Sequence, residues 1–248
     1  MPQKDKIRAL FDRIAPSYDR LNRLMSFGLD LSWRRRAVKV LADSGQLLQV
    51  LDVASGTADF AIDIARRLPA GSRVTGVDIS EQMLAVGRSK VKAAALQERV
   101  QLQTADAEKL PFEDGSFDRV SVAFGVRNFE DLPRGLAEMC RVLRPGGKAV
   151  ILELSYPDNP ILLWMYKIYA QRILPTICGW LSGNKDAYRY LPESIMNFPK
   201  SAQFIPMLRQ AGFKSVTVRS FTFGVCRMYV AEIEEDIFRK EKKCIFAL

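Results

Sequence analysis

Apolar runs rich in Val, Ile, Leu and Phe recur along this chain, and amphipathic segments separate most of them. The runs at 47–54, 73–79, 100–105, 117–124, 148–154, 215–221 and 225–231 read as strands, and those at 58–68, 81–95, 131–143 and 201–211 read as helices. Strands that alternate with helices bury both faces of a sheet, which argues for an α/β fold with a mostly parallel sheet and helices on both sides. The last two runs are separated only by a short turn around Thr222–Gly224. Parallel strands need a long crossover, so this pair must be antiparallel. Pro145-Gly146-Gly147 is expected to end the 131–143 helix and turn into the next strand. Residues 4–43 read as helices broken at Pro16 and Gly28, and residues 1–45 form an N-terminal helical cap.

In open sheets of this kind, ligands sit at the C-terminal ends of the strands. The first strand runs into "DVASGTAD", residues 52–59. A dinucleotide site would show G-x-G-x-x-G here and a P-loop would show Gly-Lys-Ser/Thr, and neither is present. The turn is not built for phosphates. Asp78 closes the second strand in "VTGVDIS", where a carboxylate accepts from both hydroxyls of a ribose. Asp106 closes the third in "LQTADAEKLPF", placed to accept an exocyclic adenine amine beside the Ala107 N–H. The ligand these residues describe is an adenosine without phosphates. A cationic derivative would suit the carboxylates Asp52 and Asp59 as well. Taken singly, each Asp reads equally as a turn or cap residue.

Other classes drop out. The 248 residues contain no histidine, which excludes a Ser-His-Asp triad, a Cys-His pair and His-ligated metal, and no metal site is expected. Cys140, Cys178, Cys226 and Cys244 form no C-x-x-C pair and read as free thiols of a reducing compartment. The N-terminus has no apolar signal region, so a cytoplasmic chain is expected. The longest apolar stretch, 160–183, carries Lys167, Arg172 and Pro175 and is unsuited to spanning a bilayer. The net charge is +9, and residues 1–40 hold ten basic against four acidic residues, a balance that suits anionic lipid or nucleic acid and equally a solvated helix face. Residues 155–200 break the alternation and read as a functional lid inserted in the domain. Their helix, with Lys167, Gln171 and Arg172 on one stripe, is expected to bury most of its surface against the domain, an apolar ligand or a membrane.

These motifs, in this order, resemble class I S-adenosyl-L-methionine-dependent methyltransferases: "DVASGTAD", "VDIS", "TADAEKLPFEDGSFDRV" and "RVLRPGGKAVILEL" correspond to their successive motifs over residues 47–155. Almost the whole chain is similar to a narrower family, the menaquinone/ubiquinone biosynthesis C-methyltransferases. "FDRIAPSYDRLNRLMSFGLDLSWRR", "AFGVRNFED", "YLPESIMNFP" and "AGFKSVTVRSFTFGVCRMY" carry that likeness. It departs at Ala58, where the family has Gly, and at Ala123, where Ser is common. The tail 234–248 shows no such likeness, and Cys244 is not at a C-a-a-X position.

The resemblance implies a Rossmann-like methyltransferase domain over 46–233, with a seven-stranded sheet and S-adenosyl-L-methionine as cofactor. It implies Asp52, Gly56, Thr57, Asp78, Asp106 and Ala107 as cofactor-binding residues and methyl transfer to a ring carbon of a prenylated hydroquinone. A phenol of pKa about 10 is ionised only about one part in a thousand at neutral pH, so a cation must favour the phenolate. Arg127 is the candidate, with Asn128 on a ring oxygen and Tyr18 and Asp19 covering the site as substrate-binding residues. Arg127 reads equally as a partner of Glu130 or Asp131, and Tyr18 as a core residue after Pro16. Demethylmenaquinol is the favoured acceptor. A benzoquinol of ubiquinone synthesis, an RNA or protein acceptor, and a non-catalytic scaffold are the alternatives. The apolar 155–200 segment does not suit a nucleic-acid groove, so no nucleic acid is expected. Contact with a membrane surface is expected, and a homodimer is among the open assemblies.

Overall fold

The computed structural model describes residues 4–169 and 185–234. Cys178, Cys244, Gln171, Arg172 and the tail beyond 234 lie outside the described residues. The strands are β1 (Gln49–Val53), β2 (Arg73–Asp78), β3 (Val100–Thr104), β4 (Phe117–Ala123), β5 (Leu143–Leu154), β6 (Ser215–Phe221) and β7 (Cys226–Glu232). They form one sheet in the order β3-β2-β1-β4-β5-β7-β6. The first five are parallel, and β7 runs antiparallel to both β5 and β6. The order reverses between β1 and β4, so a crevice opens at the C-terminal ends of those strands.

The cap is α1 (Lys4–Ile14), a 3-10 turn at Ala15–Ser17, α2 (Tyr18–Met25) and α3 (Leu29–Leu41). Pro16 lies in the 3-10 turn and Gly28, at φ 74°, begins α3, so both breaks read from the sequence are present. On one face of the sheet α3, α4 (Asp59–Arg67) and α5 (Glu81–Ala93) bury Trp33, Leu41, Phe60, Ile64 and Val91. On the other, α6 (Leu132–Arg141) and a C-terminal helix, Ser201–Gln210, bury Leu136, Met139, Phe204 and Leu208.

One expectation needs correction and one is narrowed. Pro145-Gly146-Gly147 does not cap a helix: α6 ends at Arg141, and the three residues lie inside β5 as an irregularity opposite β4. Strand pairing starts as soon as the helix stops, because Phe117 N donates to Val142 O (2.9 Å). A Cβ on Gly147 would come within 2.7 Å of Arg144 O, so the bulge needs glycine. The second concerns the lid. Within 155–200 the chain forms α7 (Pro160–Ile168) and α8 (Lys185–Asn197), the latter preceding α9 (Ser201–Gln210). Asn159 caps α7 by accepting from the N–H groups of Ile161 and Leu162, with Pro160 at the first turn. No residue of α7 is buried, so of the three covers expected for this helix the domain is not the one, which leaves an apolar ligand or a membrane.

Candidate active site

The turn after β1 is held in unusual backbone geometry. Ala54, Gly56 and Ala58 all have positive φ, at 52°, 55° and 62°. The left-handed region costs a non-glycine residue about 1–2 kcal/mol, and such strain collects where surrounding structure fixes a functional shape. Above Gly56 the space is open: an added Cβ would meet only Met83 Cε, at 3.9 Å. The Ala58 methyl is fully buried in the core and does not reach the cavity, and it leaves no room for a Cβ on Gly87 of α5, which would lie 3.1 Å from it. Ala58→Gly is therefore expected to shift cofactor affinity by less than about tenfold. The relief of left-handed strain is offset by a lost buried methyl of about 0.8 kcal/mol and a looser unfolded chain. Calorimetric titration and thermal unfolding of the variant check both halves.

A cleft of about 730 Å³ opens over this turn, lined by Ala54, Gly56, Asp78, Ile79, Asp106 and Ala107 among others. Asp78 accepts from Gly56 N and Ser80 N, both at 2.8 Å. Burial raises its pKa, against the pull of those N–H groups. A carboxylate has about four acceptor positions, so two remain for a ligand. Asp106 is already engaged: Lys4 Nζ donates to its Oδ2 at 2.6 Å and to Glu108 Oε2 at 3.0 Å. Partial burial alone would raise the Asp106 pKa, but Lys4 outweighs it and holds the carboxyl below its ordinary value. The cap thus closes on all three strand-end loops. Besides Lys4, Asp12 accepts from Ser80 Oγ (2.5 Å) and Asp19 accepts from Thr57 Oγ1 (2.6 Å) and Lys90 Nζ (2.8 Å).

Four of the residues read from the sequence line neither this cleft nor the one beside it: Asp52, Thr57, Asp19 and Asp59, the last held by Arg23, Arg34 and Lys90. Thr57 and Asp19 bind each other and fasten α2 to the turn. Asp52 lies beneath the turn, opposite Ser121 in the β1–β4 register, and accepts from Ser121 Oγ and Ser55 Oγ, both at 2.7 Å. Burial pushes its pKa up to about 6, against the two hydroxyls and Arg34. A raised carboxyl favours the folded state below its unfolded pKa, and this contribution fades as pH rises through about 6. The shift corresponds to about 3 kcal/mol. Asp52→Asn is expected to flatten the pH dependence of stability between about 4 and 7 relative to the parent, as read from urea unfolding at each pH.

A second cleft, of about 1070 Å³, is walled by Leu10, Ile14, Leu21, Trp33, Tyr166 and Ile195 among others. Phe11, Tyr18 and Phe124 line both clefts, so these rings stand where the two meet. Phe124 holds a positive φ of 62° and packs edge-on to Trp33 at 6.3 Å. Arg127 lines the second cleft and Asn128 the first, both from one 3-10 turn at Val126–Asn128. Arg127 does not pair with Glu130 or Asp131. Its Nη1 donates to Glu153 Oε1 at 2.7 Å and to Phe124 O, its Nε to Ser194 Oγ at 3.3 Å, and its backbone N to Glu153 Oε2 at 3.1 Å. Burial works against the charge, but the Glu153 carboxylate outweighs it and raises its pKa. Tyr190 donates to Asn128 Oδ1 at 2.7 Å. Burial pushes Tyr166 up to about 12 and raises Tyr190 as well, so both stay protonated, Tyr190 as the donor to Asn128.

The sequence profile of the ubiE/COQ5 methyltransferase family matches residues 2–232. The chain belongs to the ubiE/COQ5 methyltransferase family. A ubiquinone/menaquinone biosynthesis C-methyltransferase of Geobacter sulfurreducens is 45% identical over 92% of this chain and 88% of its own. A demethylmenaquinone methyltransferase of Bacteroides fragilis is 44% identical over 92% and 93%. Among solved structures, a SAM-dependent methyltransferase of Thermotoga maritima superposes with a TM-score of 0.63 at 19% identity, covering 91% of this chain and 99% of that one, which speaks for the fold. S-adenosyl-L-methionine is the cofactor of this family member. The first cleft fits it: open space over Gly56, a half-satisfied Asp78 and the apolar sides of Ile79 and Met83 suit an adenosine and not a phosphate chain.

Sequence reasoning missed Glu153, Lys4 and Tyr190. Glu153 had a signal, a lone carboxylate inside the apolar run "AVILEL", which a buried strand holds only when paired. Lys4 and Tyr190 had none, because their partners Asp106 and Asn128 are 102 and 62 residues away.

Proposed function

We propose that the chain transfers a methyl group to a ring carbon of demethylmenaquinol. The observation that carries this reading is the shared wall of Phe11, Tyr18 and Phe124, which sets a polar adenosine cleft against a larger apolar cleft that has Arg127 at its edge. Asp78, Gly56, Asp106 and Ala107 hold the cofactor, which supplies an activated sulfonium methyl when bound. The chain's own work is alignment, exclusion of water and charge. Aromatic and aliphatic walls dry the second cleft, where a guanidinium acts more strongly than in water. Arg127 favours the phenolate form of the hydroquinone, whose electron density at the ortho carbon makes the new bond. Glu153 fixes the guanidinium, and Asn128 with Tyr190 and Tyr18 orient the ring oxygens. The ring carbon gains a methyl and gives up one proton.

The relatives' names support the acceptor class. They cover both ubiquinone and menaquinone synthesis, and the Bacteroides enzyme carries the menaquinone name alone. As parts of the same reading, the chain works in the cytoplasm, in peripheral contact with the membrane that holds its acceptor. Among the described residues, no helix is long and apolar enough to cross a membrane. Quinone analysis of a strain lacking this chain tests the proposal. Accumulated demethylmenaquinone is the expected result, restored to menaquinone by the parent gene. An unchanged quinone pool would overturn the proposal, and accumulation of an unmethylated benzoquinone would favour the benzoquinol acceptor instead.

A further inference from the structure

We infer that the rim of the acceptor cleft is a docking surface for an anionic lipid bilayer, with α7 lying in the headgroup layer; this rests on the prenylated acceptor proposed above. The rim is apolar and uncovered. On α7, Ile161, Trp164 and Met165 are 70%, 64% and 55% exposed, at positions one helical turn apart. Phe27, at the α2–α3 corner, is 76% exposed, and Phe223, in the β6–β7 turn, is 81% exposed. Large exposed apolar side chains scattered singly need no explanation, whereas a gathered set marks an interaction site.

Contacts across the fold gather these residues. Their neighbours Met25, Ser26, Tyr166, Tyr169 and Val225 all line the same cleft. Tyr169 donates to Met25 O at 2.7 Å and its ring lies 6.0 Å from that of Phe27, which joins α7 to the α2–α3 corner. Trp33 Nε1 donates to Thr222 Oγ1 at 3.1 Å, which joins α3 to the turn that carries Phe223. Thr222 and Phe223 hold positive φ of 48° and 57°, so the exposed ring of Phe223 is kept on a strained turn. The helix α7 is apolar around most of its circumference: Tyr166 faces the cleft, and no residue of the helix is fully buried.

Charge selects the partner. Lys167 on α7, Arg36, which stands over the Phe221 ring at 5.2 Å, and Arg219, two residues before Phe221 on β6, are exposed. None of the three is in an ion pair among the described residues, whereas the exposed carboxylate that leads into α7, Asp158, is bound to Arg227. A rim with an apolar centre, a tryptophan and unpaired cations fits the boundary between headgroups and acyl chains of an anionic bilayer. It also fits the cleft's cargo, because a prenyl tail can stay in the bilayer while the ring enters between α2 and α7.

The test uses the full chain and flotation with vesicles of phosphatidylcholine containing phosphatidylglycerol, beside vesicles of phosphatidylcholine alone. The parent is expected to float with the anionic vesicles and to lose binding as salt rises. The triple variant Ile161→Glu/Trp164→Glu/Phe223→Glu is expected to lower the bound fraction by about tenfold or more, because three apolar side chains give up burial and three anions face the lipid. Methylation of a short-tailed, water-soluble acceptor by the same variant should stay near the parental rate, which separates this proposal from the function it rests on. Loss of that activity in the parent would sink the function. A parent that keeps the activity but does not float at low salt would overturn the docking surface. So would a variant that floats like the parent, or a parent dimer that the variant dissociates without any change in flotation, which would make the rim a contact between copies.

Discussion

Removing the Arg127 charge is expected to lower kcat for ring methylation by about a hundredfold or more, close to 2.7 kcal/mol of barrier, while the affinity for S-adenosyl-L-methionine stays nearly unchanged. Arg127 lines the acceptor cleft and not the adenosine cleft, so its loss should act on the chemical step. The variant must be chosen with its partner in view. Arg127 and Glu153 are 5% and 1% exposed, and Arg127→Met alone strands a buried carboxylate. Breaking such a pair from one side costs about 3–5 kcal/mol of stability, enough to confuse a slow enzyme with an unfolded one. Arg127→Met combined with Glu153→Gln removes both charges and keeps one acceptor oxygen where two backbone N–H groups, those of residues 127 and 154, now find one each. The double variant should regain rate as pH rises from 6 toward 10, because hydroxide then makes the phenolate that arginine favoured. Single-turnover methylation across that range, with reductant present, gives the answer. A parental rate throughout would leave Arg127 a purely structural partner of Glu153.

Asp78→Ala is expected to weaken cofactor binding by about 2 kcal/mol or more, roughly thirtyfold. Two effects add. The ribose loses a charged acceptor, and the Gly56 and Ser80 N–H groups that now point at the carboxylate lose theirs. Asp78→Asn keeps one acceptor oxygen and should fall between the parent and alanine. Calorimetric titration of folded variants checks the order. An Asp78→Ala dissociation constant equal to the parent's would place the ribose elsewhere.

Local pattern made most of this molecule legible. The seven strands follow from short β-branched runs bounded by turns, and the antiparallel pair follows from the brevity of Thr222–Gly224. Asp78 and Asp106 were legible because a strand end is itself a position in space, and parallel strands bring their ends to one edge. What the pattern did not carry was pairing across distance. Asp52 reads as a ligand carboxylate in its motif, yet the β1–β4 register sets it opposite Ser121 and under the turn. Asp19 follows Tyr18 in the chain, but one residue along a helix turns a side chain by about 100°, and Asp19 faces Thr57 and Lys90 while Tyr18 faces the clefts. The bulge at Pro145–Gly147 misled for a similar reason: Pro and Gly punctuate a helix end and a strand irregularity alike, and only the pairing with β4 decides.

The destination of the methyl group separates ring-carbon transfer from every other reaction of this site. The direct measurement supplies S-adenosyl-L-methionine with a deuterated methyl group to the full chain, together with a short-tailed demethylmenaquinol kept reduced, and locates the label in the product by mass spectrometry and NMR. Label on a ring carbon, with one ring proton lost per methyl gained, is the result expected from an apolar cleft with Arg127 at its edge and the adenosine cleft beyond Phe124. Label on a phenolic oxygen, or no transfer by a protein that binds the cofactor, would contradict it.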